Sequence, residues 1–308
     1  MLGSEFIVTE GTSWVGKPDR YPDESLASYL RHFARDNFFG SRSELLRAVE
    51  VSPAVRPDGT EIRLLAEALG VPHAMLDEMA PSDTPAVPAL RRSLTPAQGD
   101  AVCPECLRQA SYSRRLWSHQ LATACPEHLV QLIDQCPGCA ARLRHDRPLA
   151  HICDCGYDLR GVESKPAEPI EVEVASLLEG RTPPQPTLPL ELSSGVPPDI
   201  DLFLLEFIYH FGSVAGHIRP LKLSGLAPAP RLIAHSRLSL RAIARVTNDW
   251  PATFSSLVSA FMQTVSPRQG EATVSARLGS WYKFLFRRYR NPAYSAFRNA
   301  AANTIVLE

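Results

Sequence analysis

The chain confines all seven of its cysteines to the stretch from Cys103 to Cys155. An odd number of thiols cannot pair off completely as disulfides. The spacings are Cys103-x2-Cys106, then after 18 residues Cys125-x2-His128, then Cys136-x2-Cys139, then after 13 residues Cys153-x-Cys155. His128 brings the count to eight ligands, which makes two four-coordinate sites. Structural zinc takes four thiolate or imidazole ligands in a tetrahedron. A two-residue gap lets both donors of one turn reach a single ion, and the glycine of "CDCG" suits a tight knuckle. Two Zn2+ per chain are therefore expected, held by Cys103, Cys106, Cys125, His128, Cys136, Cys139, Cys153 and Cys155.

Which half-sites share an ion is less constrained. The sequential order joins 103/106 with 125/128, and 136/139 with 153/155. A cross-braced order would instead join 103/106 with 136/139. The seven residues between His128 and Cys136 favour the first order without removing the second. His119, His145 and His151 are spare imidazoles, any of which could stand in for His128. A histidine as eighth ligand suits zinc better than an iron–sulfur cluster. Catalytic zinc needs a position open to water, and four protein ligands per site leave none.

Around this cluster, two proline-rich stretches divide the chain, "APSDTPAVPALRRSLTP" (80–96) and "RTPPQPTLPLELSSGVPP" (181–198). Proline fixes its own φ and biases the preceding residue away from helix, so both read as extended linkers. They leave blocks at 20–80, 98–165 and 199–308. The expected fold is mainly α: a helical N-terminal lobe, a double zinc-finger module with small zinc-ribbon β elements, and a helical, basic C-terminal domain.

The first block carries Leu26, Tyr29, Leu30 and Phe33 on one helical face with Asp23 as its N-cap, then "SRSELLRAVE" with Leu45, Leu46 and Val49 inward. Thr60 can cap a third helix bearing Ile62, Leu65 and Leu69. Gly70 ends that helix, and Pro72 opens a fourth with Met75, Leu76 and Met79 as core. The spacing resembles a helix-turn-helix. Its second helix offers Asp77 and Glu78 and no Arg or Lys, so packing or protein docking is the expected role rather than base reading. Between the first zinc half-sites lies "SYSRRLWSHQ", with Trp117 as core and Arg114 and Arg115 as candidates to face phosphate or an acidic partner.

In the last block, "IDLFLLEFIYHF" is apolar nearly all round and should be buried. "NDWPATFSSLVSAFMQTV" repeats Phe254, Leu257, Val258, Phe261, Met262 and Val265. "ARLGSWYKFLFRRYR" places Leu278, Trp281, Tyr282, Leu285 and Tyr289 at helical spacing, beside Lys283, Arg287, Arg288 and Arg290. Asn291 and Pro292 can start a last helix through Phe297 and Ala301. The net charge of −1 hides an asymmetry: residues 1–206 carry 19 Lys+Arg against 30 Asp+Glu, whereas residues 207–307 carry 13 against 2. Such a basic end suggests contact with nucleic acid. The candidate contacts are Arg114, Arg115, Lys283, Arg287, Arg288 and Arg290.

No run of 18 apolar residues suggests a membrane span, and "MLGSEFIVTE" has no basic n-region ahead of an apolar core. The expected location is the cytoplasm, where thiols stay reduced and clustered cysteines favour metal. "GSEF" reads as translated restriction sites and carries no weight here. P-loop, GxSxG and HExxH patterns are all missing from the sequence.

The run "CPECLRQASYSRRLWSHQLATACPEHLVQLIDQCPGCAARL", followed by "CDCGYDLR", resembles the zinc-binding core of the TniQ family, which selects targets for bacterial transposons, including CRISPR-associated ones. "YPDESLASYLRHFA" is similar to that family's opening helix, and "DWPATF" to its C-terminal region. The resemblance implies an adaptor with no catalytic residues. Such an adaptor connects a target-recognition device to an AAA+ ATPase transposition regulator, and so to the transposase. The device is either target DNA itself or a CRISPR effector with guide RNA. A homodimer is a further implication, and the eight metal ligands named above carry over. The competing expectations are a zinc-finger DNA-binding transcription regulator using 60–80, a cross-braced zinc protein-interaction module and, last, a zinc hydrolase.

Overall fold

The computed structural model describes residues 14–51, 59–80, 100–211, 233–264 and 278–307. All but the first residue of the 80–96 stretch lies outside them, as does Val265. The chain forms two compact units, Met1–Pro166 with Gly225–Ile233, and Ala167–Ser224 with Ala234–Glu308. The second is built mainly from helices, and the first joins helices to a cysteine-rich segment of turns and short elements.

In the first unit, α1 (Leu26–Asp36) and α2 (Arg42–Ala48) are followed by α3 (Gly59–Leu69) and α4 (His73–Met79). Leu26, Tyr29, Leu30 and Phe33 of α1 are buried against Leu45, Leu46, Ile62, Leu65, Leu69, Leu76 and Met79. Each such side chain, fully buried, contributes about 1.5–3 kcal/mol. Val49 and Met75 pack against this core from partly buried positions. The cap of α1 differs from expectation. Ser25, not Asp23, accepts from the Ser28 amide at 3.2 Å. Asp23 is instead drawn to Tyr112, whose hydroxyl donates to it at 2.5 Å, and to Arg114 at 2.8 Å. Thr60 likewise sits inside α3, whose first residue is Gly59. Gly70 takes φ +62, the left-handed conformation that ends α3.

The helical lobe is joined to the cysteine-rich segment by backbone as well as side chains. The Ser25 amide donates to Ser113 O at 2.9 Å, and the Arg115 amide to Asp23 O at 2.8 Å. Tyr21 and Tyr112 stack with ring centroids 4.1 Å apart. The blocks 20–80 and 98–165, separate in the sequence reading, thus pack together within one unit.

In the second unit, α6 (Pro169–Leu178) precedes α7 (Ile200–Phe211), α8 (Ile233–Thr247), α9 (Ala252–Thr264) and α10 (Ser295–Leu307); the first residue of α8 belongs to the first unit. As expected, α7 is buried on almost every side. Its Phe203 stacks on Phe284 and Tyr294, and Phe203 and Phe207 both meet Phe297 edge-on. Asn291 accepts from the Ala293 amide at 2.9 Å and starts the turn Pro292–Tyr294 that leads into α10.

The 181–198 stretch is non-helical, but it is not a free linker. Buried Glu173 on α6 accepts from the amides of Thr187 (2.7 Å) and Leu188 (3.0 Å). Further on, the Glu191 amide donates to Ala293 O at 3.0 Å. Residues 283–288 form a π-type segment after the short helix Ser280–Tyr282. Its wider i→i+5 turn brings Phe284 inward beside Leu285, and Tyr282 stays half-buried.

Candidate metal centre

The site is assembled from short elements that bring each pair of ligands to a turn. Cys103 caps α5 (Pro104–Gln109), and its sulfur accepts from the Cys106 amide at 3.5 Å. Proline at the first helical position needs no N–H partner. Cys125 ends β1 (Ala124–Cys125), which pairs antiparallel with β2 (Val130–Gln131). The knuckle between them carries His128, and Leu129 closes it with φ +56, its amide donating to Cys125 O at 2.9 Å. This is the small ribbon expected around the ligands.

The second set is built alike. Ala140, at φ +57, donates to Cys136 O at 2.8 Å. Gly156, at φ +87, donates to Cys153 O at 2.8 Å, so the left-handed turn after Cys155 is the one the glycine was expected to supply. Gly138 has a different reason. A Cβ there would stand 2.6 Å from Cδ2 of the Tyr157 ring and 3.2 Å from its Cβ, too close to the fixed end of that side chain to be relieved by rotation.

The eight donors fall into two groups, Cys103/Cys106/Cys125/His128 and Cys136/Cys139/Cys153/Cys155, each with its ligand atoms within 4.8 Å of one another. This is the sequential order; the cross-braced one is not formed. In the first group, His128 Nδ1 lies 3.7, 3.3 and 3.5 Å from the sulfurs of Cys103, Cys106 and Cys125. Cys106 and Cys125 sulfurs are 3.5 Å apart. In the second, Cys136–Cys155 and Cys139–Cys153 are separated by 3.7 and 3.9 Å. Zn–S bonds of about 2.3 Å and Zn–N bonds of about 2.0 Å in a tetrahedron require edges close to these. The donor set and spacing fit zinc at both.

Electrostatics points the same way. Hydrogen bonds from Cys103 and Cys106 hold the Cys125 thiol far down, at about 2, while Cys103 and Cys125 together with burial push Cys106 well above its ordinary range. Three thiolates this close repel one another unless a cation sits among them, so an ion is what lets all three ionise.

The other imidazoles are elsewhere. His145 is buried beside Asp100, and burial lowers its pKa to about 4. His151 contacts Ser111, and His119 accepts from the Leu121 amide at 3.1 Å. Sequence reasoning did not single out Gln109, whose amide lies 2.9 Å from His128 Nε2. With Nδ1 turned to the metal, Nε2 carries the proton, and the amide oxygen is the atom able to accept it. The signal was present: Gln109 stands three residues after Cys106 on α5, on the same face.

The candidate phosphate contacts divide. Arg114 is mostly buried between Asp23 (2.8 Å) and Glu127 (3.0 Å), and Arg115 donates to Glu78 O. Arg288 is ion-paired to buried Glu206. Lys283, Arg287 and Arg290 are exposed and carry no ion pair among the described residues. Arg287 also lies 5.8 Å from the Tyr282 ring centre.

Two four-ligand groups, the first set on a helical lobe, have the donor sets of a double zinc-finger module. The TniQ family model matches residues 16–132, so this part of the chain carries a TniQ domain. That domain marks a protein of transposition target selection. The match takes in the first ligand group and stops before the second. No curated protein matches the chain. Among the described residues no helix is long and apolar enough to cross a membrane.

Proposed function

We propose that this chain is a non-catalytic adaptor in transposon target selection. It links a target-recognition complex, either an RNA-guided CRISPR effector or target DNA itself, to an AAA+ ATPase regulator and so to the transposase. The observation that carries this reading is the TniQ domain at 16–132, with the first four-ligand group inside it. Each group uses all four vertices of a tetrahedron on protein donors, so a zinc in either would act as a staple, with no vertex for substrate. In this reading Zn2+ fills both sites, and the helical lobes present surfaces to partners.

The DNA-facing surface is assigned to Lys283 and Arg287 of the π-type segment and Arg290 just beyond it, all exposed. A transcription regulator that reads bases through α3 and α4 has less support, because α4 exposes Asp77 and Glu78 to a groove lined with phosphates.

Purification of the tagged chain from cells that express the neighbouring genes should recover an AAA+ ATPase together with a guide-RNA complex or DNA. Recovery of neither would sink the adaptor reading. For the surface, Lys283→Ala/Arg287→Ala/Arg290→Ala should weaken DNA binding and make the salt slope shallower by about two to three. An unchanged slope would remove these residues from the interface.

A further inference from the structure

We propose that Tyr282 and Phe286 form a stacking platform for the unpaired bases of a single DNA strand, with Lys283, Arg287 and Arg290 beside them to hold its phosphates. The proposal rests on the DNA-facing assignment above and names the form of DNA that this surface takes.

A division among the aromatic side chains of one segment is the first reason. Trp281, Phe284 and Tyr289 are buried, and each meets rings of other elements. Trp281 stacks on Phe261 of α9, Phe284 stacks on Phe203 of α7, and Tyr289 meets Phe203 edge-on. Tyr282 and Phe286 are only partly buried. Their rings meet each other, with centroids 5.3 Å apart, and no other ring among the described residues. The wide turn of the π-type segment gives the inward positions to Phe284 and Leu285 and leaves Phe286 at the rim. Each of the two rings keeps apolar surface in water that a stacked base would cover.

Unanswered charge is the second reason. Residues 278–307 contain five Lys+Arg and no Asp or Glu. Arg288 is held by Glu206, and Arg298 donates to Tyr289 O at 2.7 Å and Asn291 O at 3.1 Å. Lys283, Arg287 and Arg290 remain exposed, without an ion pair among the described residues. The Arg287 guanidinium, 5.8 Å from the Tyr282 ring centre, adds to the aromatic pair a plane that itself stacks on bases.

Cations alone would take any nucleic acid, since duplex and single strand both carry phosphates. The rings discriminate. In a duplex each base is covered by its neighbours in the stack, so a side chain can stack only on a base that is unpaired or flipped out. The strand is DNA because target recognition of the kind proposed above acts on DNA, and an RNA-guided effector parts the target by displacing one strand.

The zinc-loaded full chain is titrated into labelled oligothymidylate, which cannot pair with itself, and into a labelled duplex, with anisotropy as the readout. Tyr282→Leu/Phe286→Leu keeps apolar bulk and removes both rings. It should weaken oligothymidylate binding on the order of tenfold and lower the ratio of single-strand to duplex affinity by a similar factor. Tyr282→Phe, which keeps the ring, should bind as the parent does. If the double variant fails to fold by circular dichroism, Tyr282→Leu alone decides, with a several-fold loss expected.

Lys283→Ala/Arg287→Ala/Arg290→Ala should weaken both ligands. Should it do so while Tyr282→Leu/Phe286→Leu keeps the parent's affinities, the platform is refuted and the DNA-facing assignment stands. If the triple variant leaves both affinities unchanged, that assignment fails and the platform with it. Equal losses for strand and duplex in the aromatic variant, or tighter binding of oligouridylate than of oligothymidylate, also overturn the proposal.

Discussion

The two ligand groups share a geometry and differ in their surroundings. In the first, Cys103, Cys106 and Cys125 are each at most 1 % exposed, and α5 and the β1–β2 ribbon enclose them. In the second, Cys139 and Cys155 are exposed, and the ligands sit on turns flanked by the isolated bridges Gln135–Arg142 and Ile152–Asp158. Identical coordination chemistry can therefore be core in one place and surface clip in another. What separates them is how much of the unit must come apart before the ligands do.

The largest expected effect breaks this contrast or establishes it. Zinc binding in structural sites supplies roughly 10 kcal/mol or more of folding free energy, comparable with the whole stability of a domain, about 5–15 kcal/mol. Cys106→Ser should therefore unfold the cysteine-rich segment and disorder the lobe packed on it, read as lost helical signal and lost metal. Cys155→Ser should lower the zinc content from two ions to one and leave the first group and the lobe folded. Elemental analysis with circular dichroism separates the cases, and loss of both ions in Cys155→Ser would show that the sites are one cooperative cluster.

A smaller effect tests whether the second knuckle is as tightly built as the first. Gly138→Ala forces a methyl group onto Tyr157 and should cost about 1–3 kcal/mol. It should be seen as faster release of one zinc to a chelator, with the other ion retained. An unchanged release rate would mean that Tyr157 moves aside freely.

The smallest effect belongs to the first group. Gln109→Ala removes the partner of His128 Nε2, and outer partners of ligating histidines are worth about 10–100-fold in metal affinity. Gln109 is exposed, so water can replace it and the lower end is expected. Competition against a zinc indicator measures it. A drop confined to the tighter ion would sharpen the distinction between the two groups.

Much of the site was legible because its chemistry is local. Eight donors at turn spacing specify two ions, and the glycine after Cys155 is where the knuckle needs it. The amphipathic faces of α1, α3 and α7 were equally readable, since period and composition agree there. Other features were not. The segment "PIEVEVASLL" forms α6, although its alternating valines and glutamates carry no clear helical stripe; the signals were Pro169 and the capping box of Glu168 and Glu171. Asp23 lost its capping role to a contact almost ninety residues away in sequence, with Tyr112, and spacing cannot show such a partner.

The charge asymmetry changed most. Counted by folded unit, Ala167–Ser224 with Ala234–Glu308 holds 13 Lys+Arg against 11 Asp+Glu, and the remainder holds 19 against 22. The division at residue 206 cut through a unit whose acids and bases face each other. Arg237 meets Glu171 at 2.9 Å, and Arg241 meets Glu168 at 2.5 Å.

Glu206 illustrates what that internal pairing entails. Its carboxylate is buried on α7 and is met by Arg288 and by the Tyr289 hydroxyl, which donates to it at 3.2 Å. A polyanion that drew Arg288 outward would strand a negative charge in an aromatic interior. Arg288 thus behaves as a latch bolted from inside, and of the four cations at 283–290 only Lys283, Arg287 and Arg290 stand exposed without an ion pair among the described residues.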